Sequence, residues 1–453
     1  MHAKTILSRY FTGLFVFQLL IQISLNQGVF SQNPIVPPGV YIADPSAKVW
    51  SDGRIYVYGS RDESPFYYCS WRHDVLWSED LRSWQIAENV FASKGSGDEI
   101  PYSDALLYAP DCAYKDGVYY LYYCLASFEN TEGVATSLSP LGPFRKGRVM
   151  NASVLREIDP AVFIDDDGQA YYVWGQFSAK MAKLKPGMDE IDETTIRDGI
   201  VTEKEHFFHE GGYLIKRNGI YYFIYAHMGR ANRPTCLGYA MASNVWGPYH
   251  YGGVIIDNDH CDPAVWNNHG SIVQFNGKWY VFYHRSTHAS NTMRKACVEP
   301  ITFNDDGTIN EVEMTSQGAG PPLPAKRLID AERACLLFGN TRIVMESPSN
   351  EVLAGIRNDD KAAYKYIDFG KGVDSVLFRV RSVGSGGIID VAVDQPWGRS
   401  VAQAEVPAYT GGWTVVAAPV RATEGVHAVW LRFYGKGENL FEVDWLQFTP
   451  HRK

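Results

Sequence analysis

Five stretches of the chain repeat one pattern: a glycine turn, then an alternating run rich in aromatics. They are DGRIYVYGS (52–60), DGVYYLYYC (116–124), DGQAYYVWG (167–175), NGIYYFIYA (218–226) and NGKWYVFYH (276–284). Asp-Gly and Asn-Gly between alternating apolar runs are strong hairpin signals, because the turn needs left-handed backbone. The turn glycines Gly53, Gly117, Gly168, Gly219 and Gly277 lie 64, 51, 51 and 58 residues apart, and a Tyr follows each by three positions. Another short apolar strand precedes every turn (SAKVW, CAYK, AVFI, YLIK, SIVQF), and SEDLRSW, SPLGPF and SNVWGPY mark outer strands. Units of about 50 residues with four short strands each predict an all-β, five-bladed β-propeller over 33–314. A β-sandwich is the alternative for many short strands, and the fixed Tyr register argues against it.

The pattern changes after TSQGAGPPLPAKR (315–327), a Gly/Pro-rich linker. Residues 328–453 read as short alternating strands: YKYIDFG, SVLFRVR, IIDVAVD, WTVVAAPV, HAVWLRFYG and FEVDWLQF. They predict a second domain, a β-sandwich of jelly-roll type.

In a propeller the first strand of each blade lines the central channel, so residues at its start converge. Asp44, Asp159 and Glu210 each lie nine residues before their turn glycine, whereas His269 lies eight before and Asp111 six. Three carboxylates meeting at one axis repel each other unless they serve chemistry or hold a cation. Asp44 and Asp159 precede prolines, a pairing that by itself starts turns. Asp262 in CDPAVW lies outside the register and reads as loop. In IDPAVFIDDDG (158–168) only Asp159 is axial, and Asp165, Asp166 and Asp167 read as a solvated turn.

Composition narrows the partners. Aromatics make up 14% of the chain, which suits β-structure and sugar stacking. A net charge of −9 without a basic block argues against nucleic acid and anionic membranes. The basic start, the apolar run from about Phe11 to Leu25 and the small residues near Ser31 predict a signal peptide over 1–32, hence a secreted or periplasmic protein with no membrane attachment after cleavage. An uncleaved anchor is the alternative, although the run is short for a bilayer span. Seven cysteines without metal spacing read as buried free thiols, with one or two disulfides open after export.

ADPS (43–46), YAPDCAYKDGVYYLYY (108–123), IDPAVFIDDDG, EGGYLIKRNGIYYFIYA (210–226) and HGSIVQFNGKWYVFYHR (269–285) together resemble glycoside hydrolase family 43. The resemblance implies a five-bladed propeller that hydrolyses α-L-arabinofuranosides or β-D-xylosides with inversion. By position, Asp44 resembles the general base, Glu210 the general acid, and Asp159 the carboxylate that orients the acid and tunes its pKa. Inverting hydrolysis needs such an opposed pair. His269 resembles the axial histidine beside a bound cation or water cluster, with a core histidine as the plain alternative. Arg285 resembles a substrate-contacting arginine. Asp111 and Trp71 are placed beside the substrate, Asp111 with a structural part and Trp71, with Arg72 and His73, as a wall of the pocket. The acid motif reads Glu-Gly-Gly where Glu-Gly-Pro is commoner in the family.

IDAE, TGGWTVV and LFEVDWLQF resemble carbohydrate-binding module family 6. That resemblance implies a structural calcium held by Asp330, Glu332 and Asp444, oxygen ligands that suit this ion. The aromatic platform of its main cleft falls near Lys361, and an expected Asn falls near Glu442, so Trp413 remains, as a cleft aromatic or a packing residue, and the module either binds sugar or braces the catalytic domain. The whole reads as a secreted, monomeric, exo-acting glycosidase on plant oligo- or polysaccharide, with no cofactor for its chemistry. Arabinofuranose is favoured over xylose, and a galactan-active enzyme of the same fold is a further alternative. A non-catalytic sugar-binding propeller is the rival from another class. Three carboxylates in register separate the two.

Overall fold

The computed structural model describes residues 32–127, 131–150, 157–230, 233–382 and 384–450. The predicted signal peptide, up to residue 31, lies outside them. Among the described residues no helix is long and apolar enough to cross a membrane.

The first blade comprises strands Ile42–Val49, Ile55–Arg61, Arg72–Ser78 and Gln85–Ala92, paired in chain order. Three more four-stranded antiparallel sheets begin with inner strands Asp111–Lys115, Ala161–Ile164 and Phe208–Arg217. The fifth sheet has three strands, Ser271–Phe275, Lys278–Thr287 and Ser290–Ile301, rather than the predicted four. Its outer edge is covered by the N-terminal segment. Ile35 N–H donates to Ala296 O at 2.9 Å, and the Asn33 side chain exchanges bonds with the Val298 backbone at 2.9 and 3.0 Å. An open edge is thereby paired and the ring closed.

All five turn glycines have φ between +77° and +86°, and a Cβ at any of them would meet nothing within 4 Å. Backbone conformation, not space, demands glycine there. Apolar clusters fill the gaps between neighbouring blades. One joins Ile42 and Val57 of the first blade to Phe282 and Val298 of the fifth, and another joins Val173 and Met181 of the third to Phe223 and Tyr225 of the fourth. Each strand's alternation thus feeds two inter-blade cores.

The C-terminal sandwich has two six-stranded sheets, one centred on Lys361–Asp368 and Val426–Tyr434, the other on Ser375–Arg381 and Glu442–Thr449. Its core includes Tyr364, Phe378, Leu431, Phe433 and Phe448. The Gly/Pro-rich segment between the domains is tied down at its start. Thr315 bonds to Glu299, and Ser316 connects Asn33 to Lys365 through backbone bonds of 3.0 and 2.6 Å. Lys295 of the propeller forms a buried ion pair with Glu351 of the sandwich, and Tyr41 OH donates to the same carboxylate at 2.7 Å. All seven cysteines are buried free thiols, as the sequence favoured.

Candidate active site

Two of the three axial carboxylates start their inner strands at irregular pairing. The first blade's inner strand is bulged between Ala43 and Ser46, and the fourth blade's register shifts on both sides of Glu210. Bulges of this kind re-aim side chains next to sites. Asp44 and Asp159 have φ of 51° and 62°, a left-handed backbone that Asp tolerates better than bulkier residues. In the fourth blade Gly211 takes that conformation instead, at φ 68°.

The three strands bring their carboxylates to one ring. His269 Nδ1 lies 3.6 Å from Asp44 Oδ1 and 3.9 Å from Asp159 Oδ2. A Cβ on Gly211, the residue after Glu210, would sit 2.8 Å from the same imidazole, so the chain must be glycine to pass over it. Gly212 is tied as closely, since its Cβ would meet Phe223 at 2.8 Å and Val173 at 3.0 Å. The Glu-Gly-Gly motif therefore reflects crowding at two successive positions.

Asp44 is nearly buried and well partnered. Ser60 Oγ donates to its Oδ2 at 2.6 Å and Arg294 Nη1 to its Oδ1 at 2.8 Å. Burial pushes this carboxyl up, but Arg294, then His269, His284 and the Ser60 bond, outweigh it and hold the pKa at about 2. Arg294 also binds Asp62 through Nε and Nη2, both at 2.9 Å, and lies under the ring of Tyr68 at 4.9 Å. Asp44 N–H donates to His284 Nδ1 at 3.2 Å, which places the imidazole proton on Nε2, facing Asn267. Burial, with Arg294 nearby, lowers His284 to about 3, and it stays neutral.

Asp159 behaves in the opposite way. Burial first, then the charges of Glu210 and Asp44, push its carboxyl well above the ordinary range. Glu210 is the more open of the two, and its Oε2 accepts a bond of 2.8 Å from Gln176 Nε2. Burial lowers His269 even with Asp44 and Glu210 close by. The site thus sets a carboxyl held low on the Arg294 side against one pushed up beside Glu210.

Other expected site residues lie elsewhere. Arg285 is buried; it binds Tyr283 OH at 2.6 Å and Thr315 O at 2.7 Å, with Glu299 at 3.5 Å. It is a structural residue on the far face of its strand, and Arg294 is the guanidinium at the site. Asp111, whose charge reaches His269, is engaged within the protein, as its structural part requires: it joins three blades through Ser46 Oγ, Lys48 Nζ at 2.8 Å and Val162 N–H at 2.7 Å. Trp71 is half-buried, donating to Asp104 O at 2.9 Å and packing edge-on with Tyr67. Arg72 pairs with Glu63 at 3.1 Å, and His73 is fully buried. Asp165 is drawn from the predicted solvated turn into bonds with Lys216 and Tyr221 at 2.8 and 2.6 Å.

Among the described residues no three or more His, Cys, Asp or Glu side chains are gathered to hold a metal ion. At the axis, His269 is a neutral neighbour of both aspartates. In the sandwich, Asp444 is engaged by Arg379 and by Asn350 Nδ2 at 2.8 Å, and Asp330 by Arg333 at 3.9 Å. Only Glu332 keeps a buried oxygen without a partner, and burial, with Asp330 nearby, raises its carboxyl to about 8. Within the expected calcium set of Asp330, Glu332 and Asp444, a guanidinium thus already holds Asp444. Trp413 is no open platform either. Arg379 and Arg381 lie over its ring at 5.1 and 4.6 Å, and Arg381 is held by Glu346 and Glu442. Near Lys361, Trp397 is 79% exposed and lines a cavity of about 290 Å³ with Phe338 and Pro396.

Comparison with known proteins agrees with this architecture. Residues 31–309 match glycosyl hydrolases family 43, and 338–450 match the family 6 carbohydrate binding module. A xylosidase/arabinosidase of Thermoclostridium stercorarium is 31% identical over 89% of this chain and 96% of its own length. An arabinoxylan arabinofuranohydrolase of Bacillus subtilis is 29% identical over 94% of both chains. The crystal structure of a B. subtilis arabinoxylan arabinofuranohydrolase with cellotetraose aligns at a TM-score of 0.56 and 26% identity, covering 93% of this chain and 99% of that one. A β-xylosidase/α-arabinofuranosidase from a compost metagenome, solved with xylotriose in a calcium-free form, aligns at 0.54 and 29% identity, covering 63% of this chain and 98% of that one. With its carboxylates gathered at the propeller axis and a sandwich docked behind, the chain belongs to glycoside hydrolase family 43 and carries a family 6 carbohydrate-binding module.

Proposed function

We propose that the protein is an exported, exo-acting, inverting glycosidase that releases α-L-arabinofuranosyl groups from arabinoxylan side chains, with β-D-xylosides as the alternative substrate. The observation that carries this reading is the meeting of Asp44, Asp159 and the Glu210 strand around His269, with opposite electrostatics on its two sides.

Asp44, ionised down to about pH 2, serves as the base that takes a proton from the attacking water. Its bonds to Arg294 and Ser60 fix the carboxylate's direction. Glu210 protonates the leaving oxygen, and Gln176 steadies its outer oxygen. Asp159, whose carboxyl is pushed well above the ordinary range by burial and then by the charges of Glu210 and Asp44, is the group that orients the acid. The similarity to arabinoxylan arabinofuranohydrolases along both domains favours arabinose over xylose.

The test is hydrolysis of aryl α-L-arabinofuranoside, aryl β-D-xyloside and arabinoxylan, with the first-formed product anomer read by NMR. Asp44→Asn lowers kcat by about 10²- to 10⁴-fold on every substrate, the usual worth of a positioned base. Glu210→Gln loses more on arabinoxylan than on a dinitrophenyl glycoside, whose leaving group needs little protonation. Near-normal turnover by Asp44→Asn, or an early product of retained configuration, sinks the assignment.

A further inference from the structure

Beyond Glu210 the surface carries three large rings that core packing does not explain. Phe177 is 52% exposed, Phe207 42% and Tyr251 41%. They are linked outward from the acid. Gln176, next to Phe177, donates to Glu210 Oε2, and His209 Nε2 lies 3.9 Å from the same oxygen. The Phe177 ring stands edge-on to His209 at 5.2 Å, and Phe177 N–H donates to His209 O at 2.6 Å. Glu203 bridges to the next ring: its N–H donates to Phe177 O, and its carbonyl accepts from Phe207 N–H, both at 2.9 Å. Phe207 then packs on Tyr251 at 5.3 Å and on His227 at 5.1 Å.

The rings are also built in. Phe177 and Phe207 have φ of 64° and 62°, a conformation bulky residues rarely adopt unless the surroundings impose it. Tyr251 lies against buried His227 at 5.4 Å, nearly parallel, with its OH 2.9 Å from Nε2. Glycines clear the space for that imidazole, since a Cβ on Gly229 or Gly238 would approach it to 1.9 or 2.4 Å. Gly229 N–H caps Nδ1 at 2.8 Å, so the Nε2 proton faces the Tyr251 oxygen. Aromatic faces held rigidly in water are the surfaces on which sugar rings stack.

We propose that Phe177, Phe207 and Tyr251 form an aromatic track that holds the polysaccharide backbone on the leaving-group side of Glu210. The proposal rests on Glu210 being the acid, because the acid faces the departing oxygen. Its occupant is a chain of pentose rings continuous with the scissile bond, since the rings run outward from Glu210 through Gln176 and His209 to Phe177.

The test substitutes Phe177→Asn and Phe207→Asn, singly and together, since Asn accepts left-handed backbone. Two quantities are read on the full chain: the ratio of kcat/KM on arabinoxylan to that on aryl α-L-arabinofuranoside, and migration through gels cast with arabinoxylan. The ratio falls about tenfold or more in the double variant, equivalent to about 1.4 kcal/mol, and gel retardation weakens in parallel. A ratio within twofold of wild type with unchanged retardation overturns the track. Equal loss on both substrates also overturns it, marking the rings as structural. A double variant that changes from dimer to monomer in sedimentation, with polymer turnover intact, reassigns the rings to a contact between copies. Wild-type protein inert on every aryl glycoside refutes the functional reading instead, and gel retardation then decides the track alone.

Discussion

At the scale of single residues, neighbours one position apart have opposite fates. In YHR, a strand's period of two sends His284 to the axis and turns Arg285, the expected substrate arginine, to the far face. The guanidinium at the site is Arg294, on the third strand of its blade, where a search of inner strands does not look. Its tie is cross-strand: Ser286 pairs with Arg294, two positions beyond His284. Arg294→Gln tests its effect on the base. A depressed carboxylate contributes stability that is present above the unfolded pKa, near 4, and lost as the pH falls through its folded value of about 2. Without Arg294, burial dominates and the Asp44 carboxyl rises. The acid limb of the kcat/KM profile then moves up by about one to three pH units. An acid limb at the wild-type pH rules out this role. Arg294→Lys does not restore the profile, because an ammonium lacks the fork that reaches Asp44 and Asp62 together.

At the scale of the element, the propeller was legible because its inner strands obey one register. The nine-residue spacing from carboxylate to turn glycine places Asp44, Asp159 and Glu210 alike, and the structure gathers them around His269. The bulges were not legible, since neither the Asp-Pro pair nor Glu-Gly-Gly specifies by itself how a strand bends. Asp262-Pro263 shows the ambiguity: there the Asp accepts from Ala264 and Ala289 N–H in a loop. Gly211 is where sequence and bend meet. Gly211→Ala places a methyl 2.8 Å from the His269 ring at φ 68°. Strain at such a site costs about 1–3 kcal/mol, and relieving it displaces Glu210 or His269. Thermal unfolding shows the stability loss, and kcat on an aryl glycoside falls more steeply than KM changes. A variant of full stability and activity contradicts the crowding argument. Gly53→Ala in the open turn serves as the comparison, carrying the backbone penalty without the clash.

At the scale of the whole molecule, the sandwich is built into the propeller rather than tethered to it. The linker reading came from Gly and Pro content, and composition does not reveal that Thr315 and Ser316 are hydrogen-bonded on both sides. Further contacts join the domains: His260 stacks on Phe338 at 4.6 Å, Arg333 donates to Pro34 O at 2.8 Å, and Arg342 approaches Asp262 at 3.9 Å. The Lys295–Glu351 pair is the most demanding, since both side chains are almost fully shielded from water. Lys295 follows Arg294 in the chain, so the interface lies one residue from the group that holds Asp44. Removing one partner of a buried pair leaves the other charge uncompensated, at a cost of about 3–5 kcal/mol. Glu351→Ala therefore lowers the unfolding temperature and splits a single calorimetric transition into two, as the sandwich undocks before the propeller melts. The double variant Lys295→Met/Glu351→Leu, which removes both charges and refills the space, regains most of that stability and the single transition. One transition at the wild-type temperature in Glu351→Ala would show that the pair does not hold the domains together.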